Sequence, residues 1–259
     1  MTAPSPPEAG QVAVAIPCYN EAAAIAPVVA GWRAALPGAE IVVFDNNSTD
    51  GTGRIARDLG VRVVPVPEQG KGHAVRAAFD LLAGRPAVIL VDGDGTYPAE
   101  AATALLAPIL DGSAEMTVGA RKPTADSGAM SPVRGLGNLL IRAAFRLLIG
   151  RGPGDLLSGY RAVSPRFLRA VRLRATGFEI EAELTGEAVA LGLRVVEIPV
   201  PYHPRIAGTA SKLHAVRDGL RILAMIAAQG LRLRPLRLLT LAVATLALLA
   251  ALLAVGGRP

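Results

Sequence analysis

The sequence predicts an α/β domain on a mostly parallel central sheet, followed by an apolar C-terminal span. Three observations carry this. Short, uniformly apolar runs alternate with helical patterns from Val12 to about Leu110; polar clusters follow several of those runs; and 18 uncharged residues, Leu238–Val255, come after an arginine-rich stretch. Strands buried on both faces are apolar at every position, and strand–helix alternation at this spacing gives parallel pairing. A chain of 259 residues, 51% hydrophobic and 19% charged, can bury a sizeable core and is not a disordered coil.

In chain order, residues 1–10 are proline-rich, with neither a basic segment nor an apolar core, and read as a flexible leader rather than a signal peptide. Strands follow at Val12–Ile16, Ile41–Phe44, Val61–Val66, Ala87–Val91 and Met116–Val118. Helices lie between them at about Glu21–Leu36, Gly51–Leu59, Gly70–Leu82 and Ala99–Leu110. A long helical insertion precedes a sixth strand, Arg194–Val200. Within it Arg134, Asn138, Arg142 and Arg146 recur every four residues among Leu139, Leu140, Ile141, Phe145, Leu147 and Leu148. Such a helix either lies in a membrane interface or packs on a core with its polar stripe in water. Leu213, Val216, Leu220, Leu223 and Ala227 form a second apolar face, with Arg217 and Arg221 elsewhere on that helix.

The tail at Leu238–Val255 would extend about 27 Å as a helix, close to the hydrocarbon thickness of a bilayer. Arg232, Arg234 and Arg237 precede it and only Arg258 follows, which places the preceding chain in the cytoplasm. A buried C-terminal helix is the alternative. The expected organisation is a leader at 1–10, a catalytic domain at 11–208, a juxtamembrane amphipathic helix at 209–235 and a transmembrane anchor at 236–257.

Charge is unevenly spread. Residues 1–120 hold 7 basic and 13 acidic side chains, whereas residues 121–174 hold 11 basic and 2 acidic. A second basic block, 201–237, abuts the apolar tail, so the isoelectric point near 10.1 points to a membrane surface rather than nucleic acid. The single cysteine, Cys18, excludes an internal disulfide and any multi-cysteine metal site. Three scattered histidines argue against zinc.

Ligands of parallel sheets bind beyond the carboxyl ends of the strands. There this chain places Pro17-Cys18-Tyr19-Asn20-Glu21, Asp45-Asn46-Asn47-Ser48 and Asp92-Gly93-Asp94-Gly95. Two carboxylates one small residue apart can face one divalent cation, Mg²⁺ or Mn²⁺, that takes further ligands from water and substrate phosphates; a surface Asp-Gly turn is the plainer reading. Gly51-x-Gly53-x-x-Ala56 is no dinucleotide fingerprint, because six polar residues separate it from the strand end at Phe44. Gln69-Gly70-Lys71-Gly72-His73 lacks the first glycine and final hydroxyl of a P-loop. Glu179, Glu183 and Glu187 form an i, i+4 stripe expected to be a solvated helix face.

Taken in order, VAIPCYNEAAAI, VVFDNNSTDGT, GKGHAVRAAF, VDGDGTYPAE, GARK, RGLGNLL, DLLSGYRAVS, GFEIEAEL and EIPVPYHPR…GTASKL resemble the family-2 glycosyltransferases of GT-A fold, specifically the polyprenyl-phosphate (dolichyl-phosphate-type) hexose synthases. The resemblance runs from about Val12 to Leu223. It implies a nucleotide-sugar donor, a polyprenyl-phosphate acceptor, a divalent metal and inversion at the anomeric centre. Pro17, Tyr19, Asn20, Glu21, Asp45, Asn47, Ser48, Lys71 and Gly72 would serve the nucleotide sugar. Asp92 and Asp94 would hold the metal, with Asp92 also on the donor side. Arg121, Arg134, Arg205 and Lys212 would handle the acceptor phosphate and the diphosphate. Asp94, Arg121 and Asp155 would be catalytic, with Asp155 beneath the reacting centre. Thr96 stands where mannose synthases often carry Gln, which weakens GDP-mannose and a third side-chain metal ligand, and the Asp-Gly-Asp-Gly-Thr-Tyr resemblance favours UDP-glucose over UDP-GlcNAc and GDP-mannose. The resemblance leaves a homo-oligomer open, and its alternatives are a lipid or sugar hydroxyl acceptor or a non-catalytic nucleotide-sugar-binding membrane subunit.

Overall fold

The computed structural model describes residues 12–124, 132–236, 240 and 243, without the side chains of 132–134. The leader at 1–10 lies outside the described residues, as does the expected anchor at 236–257 apart from Leu236, Thr240 and Val243. Among the described residues no helix is long and apolar enough to cross a membrane.

The first half follows its sequence pattern closely. β1 (Val12–Cys18), β2 (Glu40–Asp45), β3 (Arg62–Pro65) and β4 (Ala87–Leu90) alternate with α1 (Ala22–Ala35), α2 (Thr52–Asp58) and α3 (Lys71–Leu82). A 3₁₀ turn at Ala99–Ala101 leads into α4 (Ala102–Leu110). β1 pairs in parallel with β2 on one side and β4 on the other, and β2 pairs with β3. Two apolar layers cover the sheet: Trp32, Ile25, Leu105 and Leu106 on one face, Phe79, Leu82 and Phe167 on the other. Both faces are buried, which explains why β4 reads Ala-Val-Ile-Leu without alternation.

The second half departs from expectation. β5 (Met116–Pro123) does not pair with β4. A seventh strand, β6 (Arg161–Val163), lies antiparallel between them, and β7 (Val195–Tyr202) closes the edge parallel to β5. The order is β3-β2-β1-β4-β6-β5-β7. Three residues of strand inside a helix-rich insertion leave no periodicity to read. The insertion also resolves into α5 (Pro132–Leu148), α6 (Pro165–Ala170) and α7 (Ile180–Ala190).

The stripe Glu179–Glu183–Glu187 is not a solvated face. Most of α7 is buried, Glu183 and Glu187 included, because each acid meets a partner inside. Glu183 accepts the backbone N–H of Arg174 and Ala175, and Glu187 takes the Gln229 amide and the Arg232 guanidinium. Gln229 and Arg232 belong to α8 (Ala215–Leu233), which packs across α5 and α7 through Ile141, Phe145, Ile222 and Ile226. The buried face of α8 is therefore Asp218, Ile222, Ile226 and Gln229, while Val216 (72% exposed) and Leu220 (63%) on the expected apolar face point outward.

Candidate active site

β1 has neighbours on both sides, so the loops leaving β1 and β4 diverge and open a crevice at the carboxyl edge of the sheet. A cleft of about 1230 Å³ fills it. Pro17, Tyr19, Glu21, Lys71, Asp92, Asp94, Arg121, Asp155, Arg205 and Lys212 all line this cleft, although up to 195 positions separate them in sequence. Asn20, Asp45, Asn47, Ser48 and Gly72 do not line it. Arg134 lies on α5, and its side chain is outside the described set.

The first four of those five frame the wall instead. Asn20 and Asn47 both take positive φ, which asparagine tolerates better than most residues. Asn20 N–H donates to Ser48 Oγ at 3.0 Å, and Asn20 Oδ1 accepts Thr49 N–H at 2.8 Å. Asp45 Oδ1 accepts Ser48 N–H at 3.1 Å. The loops after β1 and β2 are thus stitched together, and Asp50 and Thr52 accept the N–H groups of Ala22 and Glu21 at the start of α1.

The acidic pair leaves β4 on a turn with no spare room. A Cβ on Gly93 would run into Cys18 Sγ, and a Cβ on Gly159 would run into the Asp92 carboxylate. Asp94 Oδ1 accepts Thr96 N–H at 3.0 Å and the Thr96 hydroxyl at 2.7 Å, which fixes its rotamer. Asp92 Oδ1 meets Lys71 Nζ at 2.5 Å, and Asp94 Oδ2 meets Arg205 Nη1 at 2.6 Å. Lys71 also contacts Glu181, a residue of α7. Burial works against the Lys71 charge, yet Asp92 and Glu181 together hold its pKa above the ordinary lysine value. Glu21 Oε1 takes Lys212 Nζ at 2.6 Å, with Arg205 Nη1 4.0 Å away. The buried Glu21 Oε2 has no partner among the described residues. Desolvation raises the pKa of both Glu21 and Glu181.

Across the cleft, Arg121 and Asp155 form a two-pronged pair, Nε to Oδ2 and Nη2 to Oδ1, each at 2.7 Å. Arg121 N–H adds a third bond at 3.0 Å, and the guanidinium lies over the Tyr202 ring, 5.5 Å from its centre. Burial alone would raise the Asp155 pKa, but Arg121 outweighs it and holds the carboxyl below the usual range. Glu197 of β7 anchors the segment by accepting Gly154 and Asp155 N–H at 3.0 and 2.8 Å. Arg161, 1% exposed, braces it from behind through the carbonyls of Leu156 and Ser158 and the hydroxyl of Thr185. Desolvation pushes its pKa down to about 10.

The donor set fits a hard divalent ion. Asp92 and Asp94 offer carboxylate oxygens, Glu21, whose buried Oε2 has no partner, lines the same cleft, and the one thiol, Cys18, is held protonated by burial and nearby carboxylates. Among the described residues no group of three His, Cys, Asp or Glu could hold a metal unaided. A pair suits Mg²⁺ or Mn²⁺, which draw on water and substrate phosphates.

The glycosyl transferase family 2 model matches residues 13–137. Glycosyltransferase AglJ of Haloferax volcanii is 38% identical over 213 residues, covering 82% of this chain and 70% of that protein. The chain belongs to glycosyltransferase family 2. The polyprenol monophosphomannose synthase of Mycolicibacterium smegmatis is 32% identical to this transferase, covering 76% of the chain and 79% of the relative. Among solved structures, the glucosyl-3-phosphoglycerate synthase of Mycobacterium tuberculosis, in complex with Mn²⁺ and uridine-diphosphate-glucose, matches with a TM-score of 0.65 and 23% identity. That match covers 86% of this chain and 78% of the other, and it shows a shared GT-A-like fold.

Sequence reading missed Glu181, Glu197 and Tyr97. Glu181 stood in plain sight in GFEIEAEL, but the regular stripe on either side drew attention away from it. Tyr97, buried beneath the cleft, accepts Gly159 N–H at 3.0 Å and keeps its proton because burial raises its pKa.

Proposed function

We propose that the transferase moves a hexose, with UDP-glucose the favoured donor, onto a polyprenyl phosphate at the cytosolic face of a membrane, inverting the anomeric centre. One observation carries the choice of acceptor: each carboxylate lining the cleft, among the described residues, already holds a cation or a backbone N–H, and Glu21 keeps only a buried oxygen, Oε2, without a partner. Asp92, Asp94, Glu21, Glu181 and Asp155 face cations, while Glu197 and Asp218 hold backbone N–H groups. A hydroxyl acceptor needs a general base, whereas a phosphate monoester arrives already ionised near pH 7. Cations that gather two anions are then the main requirement, and the cleft supplies Lys71, Arg121, Arg205 and Lys212.

In this reading the loops after β1 and β4 seat the nucleotide diphosphate. A divalent cation held by Asp92 and Asp94 would supply Lewis-acid stabilisation of the charge growing on the departing diphosphate. Arg121, oriented by Asp155, turns the edge that Asp155 does not engage toward the acceptor phosphate. Asp155 is a positioning residue, since both its oxygens accept from Arg121.

A membrane location draws support from the outer surface. Leu136, Leu139, Leu140 and Leu147 of α5 are half or more exposed beside Val216 and Leu220 of α8, and Arg142, Arg217 and Arg221 line the adjoining cleft mouth. Apolar side chains flanked by arginines suit an anionic lipid surface. The uncharged segment 238–255 would anchor the chain there.

The test is a panel of UDP-glucose, UDP-GlcNAc and GDP-mannose against polyprenyl phosphate, phosphoglyceric acid and diacylglycerol, with Mn²⁺ or Mg²⁺. Polyprenyl-phosphate glucose is the expected product, and anionic vesicles should carry the protein with them on flotation. Product from diacylglycerol alone would overturn the acceptor assignment, and no product from a folded protein would overturn the activity.

A further inference from the structure

Each carboxylate of the acidic pair shares its cation with a second carboxylate that is already within reach. Lys71 sits between Asp92 and Glu181, touching both. Arg205 sits between Asp94 at 2.6 Å and Glu21 at 4.0 Å, and Glu21 has the unused oxygen Oε2. The four acids come from the start of α1, the β4 turn and α7, so the arrangement is built by the fold and not by one segment.

From this geometry we infer that Glu21 and Glu181 are positioning residues that receive Arg205 and Lys71 when a divalent cation takes Asp92 and Asp94. The inference rests on reading Asp92 and Asp94 as the metal pair. A divalent ion and an ammonium cannot both press on Asp92 without strong repulsion in so sheltered a place. Lys71 is largely buried, and leaving Asp92 for no partner would strand its charge. Glu181, 5% exposed, removes that penalty because Lys71 keeps a full ion pair throughout the exchange and needs no backbone movement. Arg205 has the same route on the other side. Its planar fork lets it hold Glu21 Oε2 with some N–H groups while the rest reach an acceptor phosphate.

The exchange differs from a general attraction of Glu181 for cations, and a double-mutant cycle separates the two. Mn²⁺ binding to the full chain in the presence of UDP is read by the loss of the free Mn²⁺ signal in electron paramagnetic resonance, for wild type, E181Q, K71M and K71M/E181Q. Hand-over predicts that E181Q weakens Mn²⁺ binding about tenfold in the wild-type background. In the K71M background, with no cation left to receive, E181Q should change it within about twofold. An equal loss in both backgrounds, or none in either, would overturn the inference. K71M leaves Asp92 and Glu181 facing each other, so should it fail to fold, the cycle of E21Q, R205Q and R205Q/E21Q asks the same question on the Asp94 side with the same two outcomes. D94N is the control for the underlying reading. If wild type and D94N alike take up no Mn²⁺ with UDP, the metal-pair reading itself fails and takes the hand-over with it. If wild type binds and D94N does not, only the cycle decides.

Discussion

β1 and β4 present Val, Ala, Ile and Leu to both apolar layers, and the first half of the sheet packs around them without a buried charge in its layers. Beyond β4 the interior is built differently. Arg161, Glu181, Glu183, Glu187 and Gln229 are all buried, and each is held by directional bonds to backbone or to an opposite charge. Hydrophobic burial tolerates small shifts, whereas a buried charge is acceptable only where its partners stand in the right places. The first flank thus supplies a stiff platform for the Asp92–Asp94 turn. The second supplies loops, 154–158 above all, whose shapes are dictated by polar partners, and there stands Asp155, paired with Arg121 of β5.

The comparison breaks first at the chemistry. Asp94→Asn keeps the side-chain shape and removes one charge from the platform side, so the proposed hexose transfer, measured with whichever donor and acceptor the panel returns, should fall on the order of 10³-fold. The apolar layers beneath are untouched, and the melting temperature should stay close to that of wild type. A D94N protein that retains most of its turnover would show that the platform does not carry the reaction.

The second flank should break in the opposite manner, through stability. Arg161→Met leaves the carbonyls of Leu156 and Ser158 and the Thr185 hydroxyl without their donor. At about 1 kcal/mol or more for each lost partner, the loss should reach about 3 kcal/mol, or roughly 10 °C in melting temperature. Activity should fall with it, because the 154–158 segment positions Asp155. A melting temperature unchanged by R161M would mean that the segment holds its shape without the guanidinium.

These two flanks differ equally in how far the sequence disclosed them. Buried parallel strands announce themselves by unbroken apolar runs, and β1, β2, β3 and β4 lie within a residue or two of where those runs place them. Asp92 and Asp94 follow, because strand ends in such a sheet are where ligands bind, whereas Lys71 comes into view only through the family resemblance. Periodicity has no symbol for a charge that is buried with its partner. Glu183 and Glu187 therefore read as solvent-facing, and Glu181 went unnoticed. β6 escaped for a related cause: its three residues include Arg161, which argues against a buried strand until Thr185 and two carbonyls are known to await it. Helix α8 shows a third limit. The apolar side that the sequence displays does turn outward at Val216 and Leu220, but the opposite side, Asp218, Ile222, Ile226 and Gln229, packs inward, and its mixture of polar and apolar residues gave no sign of that.

The smallest effect lies at the rim of the second flank, where a similar network meets water. Glu115 accepts Arg194 N–H at 2.7 Å and its Nη2 at 3.0 Å, and Arg166 Nη1 at 3.1 Å, tying the start of β5 to β7 and α6. The Arg194 hydrogen bonds hold its pKa down at about 2, against an ordinary 4.5. Both arginines are more than half exposed, so solvent screens the pairs, and Glu115→Gln should cost about 1 kcal/mol at pH 7. Because the folded pKa is depressed, the folded state binds the proton less readily than the unfolded chain does. The stabilisation is therefore complete above about pH 4.5 and is lost as the pH falls toward 2. Urea unfolding at pH 7, 4.5 and 3 should show the gap between wild type and E115Q narrowing on acidification. A gap that stays constant would assign the effect to shape instead of charge. A gap as large as that of R161M would mean that exposure, which separates these two networks, is not what sets their worth.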